Sequence, residues 1–144
     1  MTGLYNHSSC YELLDLEFRN YRRYGAGVSV ILLDIDDFKL VNDCRGHQEG
    51  DRIIIELART MTEQARSSDI CCRFGGEEFV VIVPHTSLED LESLAERLRL
   101  EVASGIVADK GECLSVTISV GGACVASICA VEDGESLLEL ADEC

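Results

Sequence analysis

Arg73-Phe74-Gly75-Gly76-Glu77-Glu78-Phe79-Val80-Val81-Ile82-Val83 sets two glycines and two carboxylates between two apolar runs. Ile70 to Phe74 and Phe79 to Val83 are short and rich in β-branched and aromatic residues, so they read as buried strands joined by a tight hairpin. Gly75-Gly76 predicts a two-residue turn with positive φ angles. Glu77 and Glu78 concentrate negative charge beside that turn. They serve either a cation or a proton-transfer task, or they form a solvated acidic turn of the kind backbone geometry favours.

Upstream, Val28 to Leu33 is a continuous apolar run broken by one serine, the pattern of a strand buried on both faces. It delivers Asp34 at its C-terminal end, where α/β sheets place ligands. Asp34 to Gly50 is polar, with helical potential over Phe38 to Asp43 and a loop at Gly46-His47-Gln48-Glu49-Gly50. From Asp51 to about Arg66, Ile54, Leu57, Ala58, Met61 and Ala65 keep one apolar face of a helix. Near the N-terminus Ser9 and Glu12 match a capping box, and Tyr11, Leu14, Phe18 and Tyr21 follow at helical spacing until Gly25-Ala26-Gly27. Thr86 and Glu89 match a second capping box before a helix between Pro84 and Gly105. Leu114, Val116, Ile118 and Val120 alternate as a strand with one wet face, and Glu135 to Asp142 starts a last helix. This order describes an α/β (α+β) fold, a mixed sheet with helices packed against it, in one domain over residues 1–144. Asp34 and Glu77 come within metal-bridging reach if their strands are neighbours.

The chain is long enough to bury a core without staples. Its formal net charge of -15 disfavours a nucleic-acid polymer as partner, so an anionic ligand needs metal ions or a local basic patch. No apolar run approaches the roughly 20 residues that span a bilayer, and the N-terminus has no signal-peptide pattern. Both point to a cytoplasmic domain without direct membrane contact. Cys71 and Cys72 are adjacent in a strand pattern, and Cys10, Cys113, Cys124 and Cys129 sit among apolar residues, so the eight cysteines read as reduced thiols. Cys44 and His47 have a chelating spacing, but no second pair completes a zinc set.

Five segments together resemble one family: Thr2-Gly3-Leu4-Tyr5-Asn6, the run Asp34-Ile35-Asp36-Asp37-Phe38-Lys39-Leu40-Val41-Asn42-Asp43, Gly46-His47-Gln48-Glu49-Gly50-Asp51, Gly75-Gly76-Glu77-Glu78-Phe79 and Val116-Thr117-Ile118-Ser119-Val120-Gly121. Their order and spacing are similar to a GGDEF domain of the diguanylate cyclase family, in its GGEEF variant. The resemblance implies a mainly antiparallel sheet similar to the palm of polymerases and nucleotidyl cyclases. It also implies condensation of two GTP into cyclic di-GMP with release of pyrophosphate. By resemblance Asp34, Glu77, Glu78 and the Ile35 carbonyl hold two magnesium ions per site, with manganese as a substitute. Hard oxygen ligands and phosphate substrates suit such ions.

Glu77 resembles the proton acceptor for the 3'-hydroxyl, and Lys39 the residue that stabilises charge at the transferring phosphate. A solvated surface lysine is the plainer reading of Lys39. Asn42 and Asp51 match the guanine-reading positions, since a carboxylate accepts from N1-H and the N2 amine together. Asp51 also suits a helix N-cap. His47 resembles a substrate contact, with a loop-structuring histidine as the alternative. Arg66 and Asp69 match the RxxD site at which the product binds and inhibits, and Arg97 resembles a secondary contact there. Their plainer reading is an arginine at a helix C-terminus and a turn aspartate.

The pattern departs from the family at both ends. His7 stands where the family has arginine, and the terminal tyrosine, lysine and Gly-Arg-Asn are missing after Cys144. The expectation is a domain trimmed at both ends, its C-terminal helix and last strand cut short, and weakly active by itself. Two copies, each presenting one GTP across a two-fold axis, form the homodimer that the resemblance requires. The rival reading is a non-catalytic module that senses GTP or cyclic di-GMP, disfavoured by the intact Asp34, Lys39, Glu77 and Glu78.

Overall fold

A computed structural model describes residues 2–107, 113–114, 116–125 and 131–143. The elements run α1 (His7–Tyr24), β1 (Val28–Ile35), α2 (Phe38–Arg45), α3 (His47–Gln64), β2 (Ile70–Arg73), β3 (Glu78–Pro84), α4 (Leu88–Ala103), β4 (Ile106–Val107), β5 (Cys113–Leu114), β6 (Ile118–Cys124) and α5 (Gly134–Asp142). The main sheet has the order β2-β3-β1-β6, and all its ladders are antiparallel. Tyr5 adds a parallel bridge to Cys72, and β4 and β5 form a separate two-stranded sheet.

Period-two alternation along β1 divides the core. Ile31, Leu33 and Ile35 face α3 and α4, where they meet Ile53, Leu57, Met61, Leu91 and Leu98. Val28 and Val30 join Val80 and Ile82 on the other face, under Cys10, Leu14 and Phe18 of α1 and Leu137 of α5. Both faces of β1 and β3 are therefore covered, which explains why these strands read as unbroken apolar runs. Cys10, Cys71, Cys72 and Cys124 are free thiols inside or beside this packing, and Cys44 is a free exposed one. Cys129 and Cys144 lie outside the described residues.

Several local expectations are corrected. The segment from Gly46 is not a loop up to Gly50, because α3 starts at His47. Gly46 alone breaks the chain, at φ 86 and ψ 158, between two helices that meet almost without a connection. Asp51 is consequently inside α3 and is not its N-cap. The caps at the other helices fall elsewhere too: Asn6 accepts from the Ser9 amide, and Ser87 from the Asp90 amide, so α1 runs His7–Tyr24 and α4 starts one residue past Ser87. The alternating run from Leu114 to Val120 divides between β5 and β6.

The hairpin also differs in kind. Neither Gly75 nor Gly76 has positive φ, and the loop between β2 and β3 holds four residues. The Glu78 carbonyl accepts from both the Phe74 and Gly75 amides, at 2.8 and 3.1 Å. Gly75 lies against the Glu78 side chain: a Cβ there would sit 2.3 Å from the Glu78 Oε2 and would push that exposed carboxylate aside.

Candidate functional site

Strand pairing brings the two acidic segments together. Asp34 lies directly opposite Glu78 across the β1–β3 ladder, and the Ile35 amide donates to the Glu77 carbonyl at 3.3 Å. Burial, then the negative charges of Glu77, Glu78, Asp36 and Asp142, hold the Asp34 carboxyl above its usual range. Like charges opposite one another destabilise a sheet. A positive charge placed there would offset that repulsion.

The donor set fits a hard divalent ion. Asp34 and Glu77 are half-buried and Glu78 is exposed. No three His, Cys, Asp or Glu side chains among the described residues converge as a ready cage. That is compatible with magnesium, which is commonly held by one or two carboxylates together with substrate phosphates.

Past β1 the chain turns sharply. Asp37 adopts φ 54 and ψ 27 and opens α2 without a side-chain cap bond. The helix places Lys39 exposed in its first turn and Asn42 half-buried one turn later. Asn42 packs on α3 at Gly50, where a Cβ would approach the Asn42 Oδ1 to 2.1 Å. His47 and Asp51 are exposed and four residues apart, on one face of the start of α3. Asn42, His47 and Asp51 thus share the α2–α3 junction.

The remaining three predicted residues gather at the other end of α3. The Asp69 carboxylate accepts from the Arg66 amide at 2.7 Å, and the Asp69 amide donates to the Arg66 carbonyl at 3.0 Å, closing a turn. Arg97 of α4 donates to the Gln64 side chain at 2.8 Å and to its carbonyl at 3.0 Å, so it ties α4 to the last turn of α3. A cavity of about 310 Å³ lies against Arg66 and Asp69, with Leu4, Tyr5 and Cys71 in its walls. At about 1.5 Å per residue, α3 separates this group from the α2–α3 junction by roughly 25 Å.

Three contributors escaped the sequence reading. Arg73 donates to the carbonyls of Gly75 and Gly76, at 3.2 and 2.8 Å, and so holds the hairpin loop from within. Asp36 binds the hydroxyls of Thr117 and Ser119. Gly50 makes room for Asn42. The two-residue step from Asp34 to Asp36 was a readable signal for Asp36, because alternate strand residues share a face. Nothing in the sequence pairs Gly50 with Asn42.

Comparisons with known proteins agree with this fold. The family model described as diguanylate cyclase, GGDEF domain, matches residues 1–144. Diguanylate cyclase DgcP of Pseudomonas aeruginosa is 41% identical over 143 residues, which covers 99% of this chain and 21% of DgcP. Response regulator PleD of Caulobacter vibrioides is 41% identical over 145 residues, covering 99% of this chain and 32% of PleD. The chain therefore spans about a fifth to a third of these relatives. The solved GGDEF domain of DgcB from Caulobacter crescentus, in complex with c-di-GMP, matches with a TM-score of 0.90 at 32% identity, over 99% of this chain and 83% of that one. Diguanylate cyclase SiaD from Pseudomonas aeruginosa, in complex with its activator SiaC, matches with a TM-score of 0.89 at 39% identity, over 99% of this chain and 54% of that one. With its palm-like antiparallel sheet, its acidic hairpin opposite Asp34 and a family match over its whole length, the chain belongs to the GGDEF domain family of diguanylate cyclases.

Proposed function

We propose that this chain is the catalytic domain of a diguanylate cyclase, which joins two GTP molecules into cyclic di-GMP and releases two pyrophosphates. The pairing of Asp34 with Glu78, with Ile35 tied to Glu77, carries the reading. It sets the carboxylates of two distant segments at one sheet end, next to the helix that bears Lys39 and Asn42. Relatives at 41% identity that are named a diguanylate cyclase and a response regulator support it.

In this mechanism Asn42 and Asp51 receive the guanine base, with His47 beside Asp51 as a further substrate contact. The Asp51 carboxylate accepts from N1-H and the N2 amine, a donor pair that adenine lacks, so GTP is chosen over ATP. Asp34, Glu77, Glu78 and the Ile35 carbonyl would hold magnesium, which supplies charge neutralisation at the triphosphate and eases loss of the 3'-hydroxyl proton. Glu77 takes that proton. The 3'-oxygen then bonds to the α-phosphorus of the second GTP while the bond from that phosphorus to the bridging oxygen breaks, and pyrophosphate leaves with the electron pair. Lys39 balances the charge on the transferring phosphate. The same exchange in the opposite direction closes the ring, which requires a second copy of the chain facing the first.

The cavity beside Arg66 and Asp69 supports a product-binding role for these residues, with Arg97 close by on α4. Arginine recognises the O6 and N7 edge of guanine. Binding there would slow turnover from the far end of α3.

Separation of nucleotides after incubation of concentrated protein with magnesium and either GTP or ATP tests the reading. Cyclic di-GMP is expected from GTP alone, and Glu77→Ala is expected to lower its formation by about 100-fold or more. Retention of GTP binding with no cyclic di-GMP from dimerised wild-type protein would establish a binding module in place of a cyclase.

A further inference from the structure

Asp36 is held more firmly than any other carboxylate at this sheet end. Its Oδ2 accepts from the Thr117 hydroxyl at 2.5 Å, its Oδ1 accepts from the Ser119 hydroxyl at 2.6 Å, and its amide donates to the Thr117 carbonyl at 3.0 Å. Each carboxylate oxygen thus has its own donor, and short hydroxyl bonds to an ionised acceptor are the strong kind. Asp34 differs: among the described residues no side chain donates a hydrogen bond to its carboxylate.

The anchor lies where the backbone is strained. Asp37, the next residue, occupies the left-handed region and starts α2. Such a conformation costs free energy in a non-glycine residue and persists where its surroundings hold it. Ser119 is also the β6 residue directly opposite Asp34. One point on β6 therefore fixes both the strand end that carries Asp34 and the turn that launches α2.

We infer that Asp36 is a positioning residue: anchored on Thr117 and Ser119, it fixes the β1–α2 turn and so sets the direction in which α2 presents Lys39 and Asn42 to Asp34. It acts through geometry and not as a further cation ligand. Its consequence for turnover rests on the diguanylate cyclase reading, whereas its consequence for the order of α2 does not.

The test uses Asp36→Ala, Asp36→Asn, the double variant Thr117→Val with Ser119→Ala, and the triple variant that combines Asp36→Ala with both. Amide hydrogen exchange read by mass spectrometry is expected to speed up by about tenfold over residues 37–42 in Asp36→Ala and in the double variant. Exchange in the β1–β3 ladder stays at the wild-type rate, which reports an intact fold. The triple variant is no worse than either parent, because all remove one linkage. For cyclic di-GMP formation, kcat falls by about 100-fold and KM for GTP changes by less, since misplacement of Lys39 acts on the transition state. Asp36→Asn recovers most of both readouts, because an amide accepts from one hydroxyl and donates to the other.

A double variant that behaves as wild type, together with an Asp36→Asn as damaged as Asp36→Ala, would overturn the assignment and make Asp36 a charge-bearing ligand. Should wild-type protein form no cyclic di-GMP, the cyclase reading fails, and the exchange measurements still decide the role of Asp36. Should Asp36→Ala not fold, Asp36→Asn and the double variant decide it.

Discussion

The Asp34 carboxyl is the residue on which charge and fold conflict most directly. Its folded pKa is raised above the ordinary value of 3.8 by burial first and by Glu77, Glu78, Asp36 and Asp142 after it. The folded state therefore holds this proton more tightly than the unfolded chain does. By linkage, its contribution to stability is most favourable at low pH and is lost as pH rises from about 3.8 through the raised folded value. Metal-free Asp34→Asn is expected to be more stable than wild type above that window and to lose the difference below it, as read from denaturant midpoints over a pH series. A variant less stable than wild type at neutral pH would contradict this. Ser29 offers a second test at the same scale. Its hydroxyl is fully buried on β1 with no hydrogen-bond partner among the described residues. Ser29→Ala is expected to raise stability by about 1 kcal/mol, because it removes an unpaired polar atom from the core. Urea midpoints of the two proteins would show it.

Among the elements, the junction of α2 and α3 carries the most information. Gly46 lets one helix end and the next begin, and Gly50 lets the Asn42 side chain lie against α3. Gly50→Ala is expected to push Asn42 aside and weaken guanine-nucleotide binding by about fivefold, the loss of roughly one hydrogen bond. Calorimetric titration with a non-hydrolysable GTP analogue measures this, and unchanged affinity would remove Asn42 from base recognition. The element pattern itself was legible. Continuous apolar runs marked β1 and β3, and period 3.6 marked α1, α3 and α4, because burial writes itself into side-chain choice. The start of α3 was not legible, since His47, Gln48, Glu49 and Gly50 have no apolar stripe and Gly46 and Gly50 read as punctuation. The hairpin was legible as a turn, but neither glycine has positive φ: Gly75 lies against the Glu78 side chain and Gly76 has open space where a Cβ would stand.

Across the whole molecule, charge sits on the surface with little pairing to offset it. The ion pairs among the described residues, Arg19–Asp15, Arg52–Glu49, Arg59–Glu56, Arg59–Glu63 and Arg99–Glu96, each lie within one helix and one turn apart. Such pairs contribute a few tenths of a kcal/mol each. A net charge of -15 opposes compaction by self-repulsion. Raising sodium chloride from about 10 mM to about 0.5 M shortens the screening length several-fold, so the thermal midpoint is expected to rise. A scanning-calorimetry series in which the midpoint falls instead would mean that these ion pairs outweigh the repulsion.

The amino-acid order by itself determined the strands and most helices, the acidic residue at the end of β1 and the hairpin, since each depends on neighbours a few positions apart. The resemblance of its motifs to the GGDEF family marked Asn42, His47, Asp51, Arg66 and Asp69 as candidates. Only the tertiary structure decided that Asp34 pairs with Glu78, that Asp36 rests on Thr117 and Ser119, and that Asn42 lies on Gly50. Strand order and helix approach join segments tens of residues apart, and the register that sets them comes from packing the two faces of one sheet. Local sequence therefore carries the chemistry of the site, while the sheet brings its parts within reach of one another.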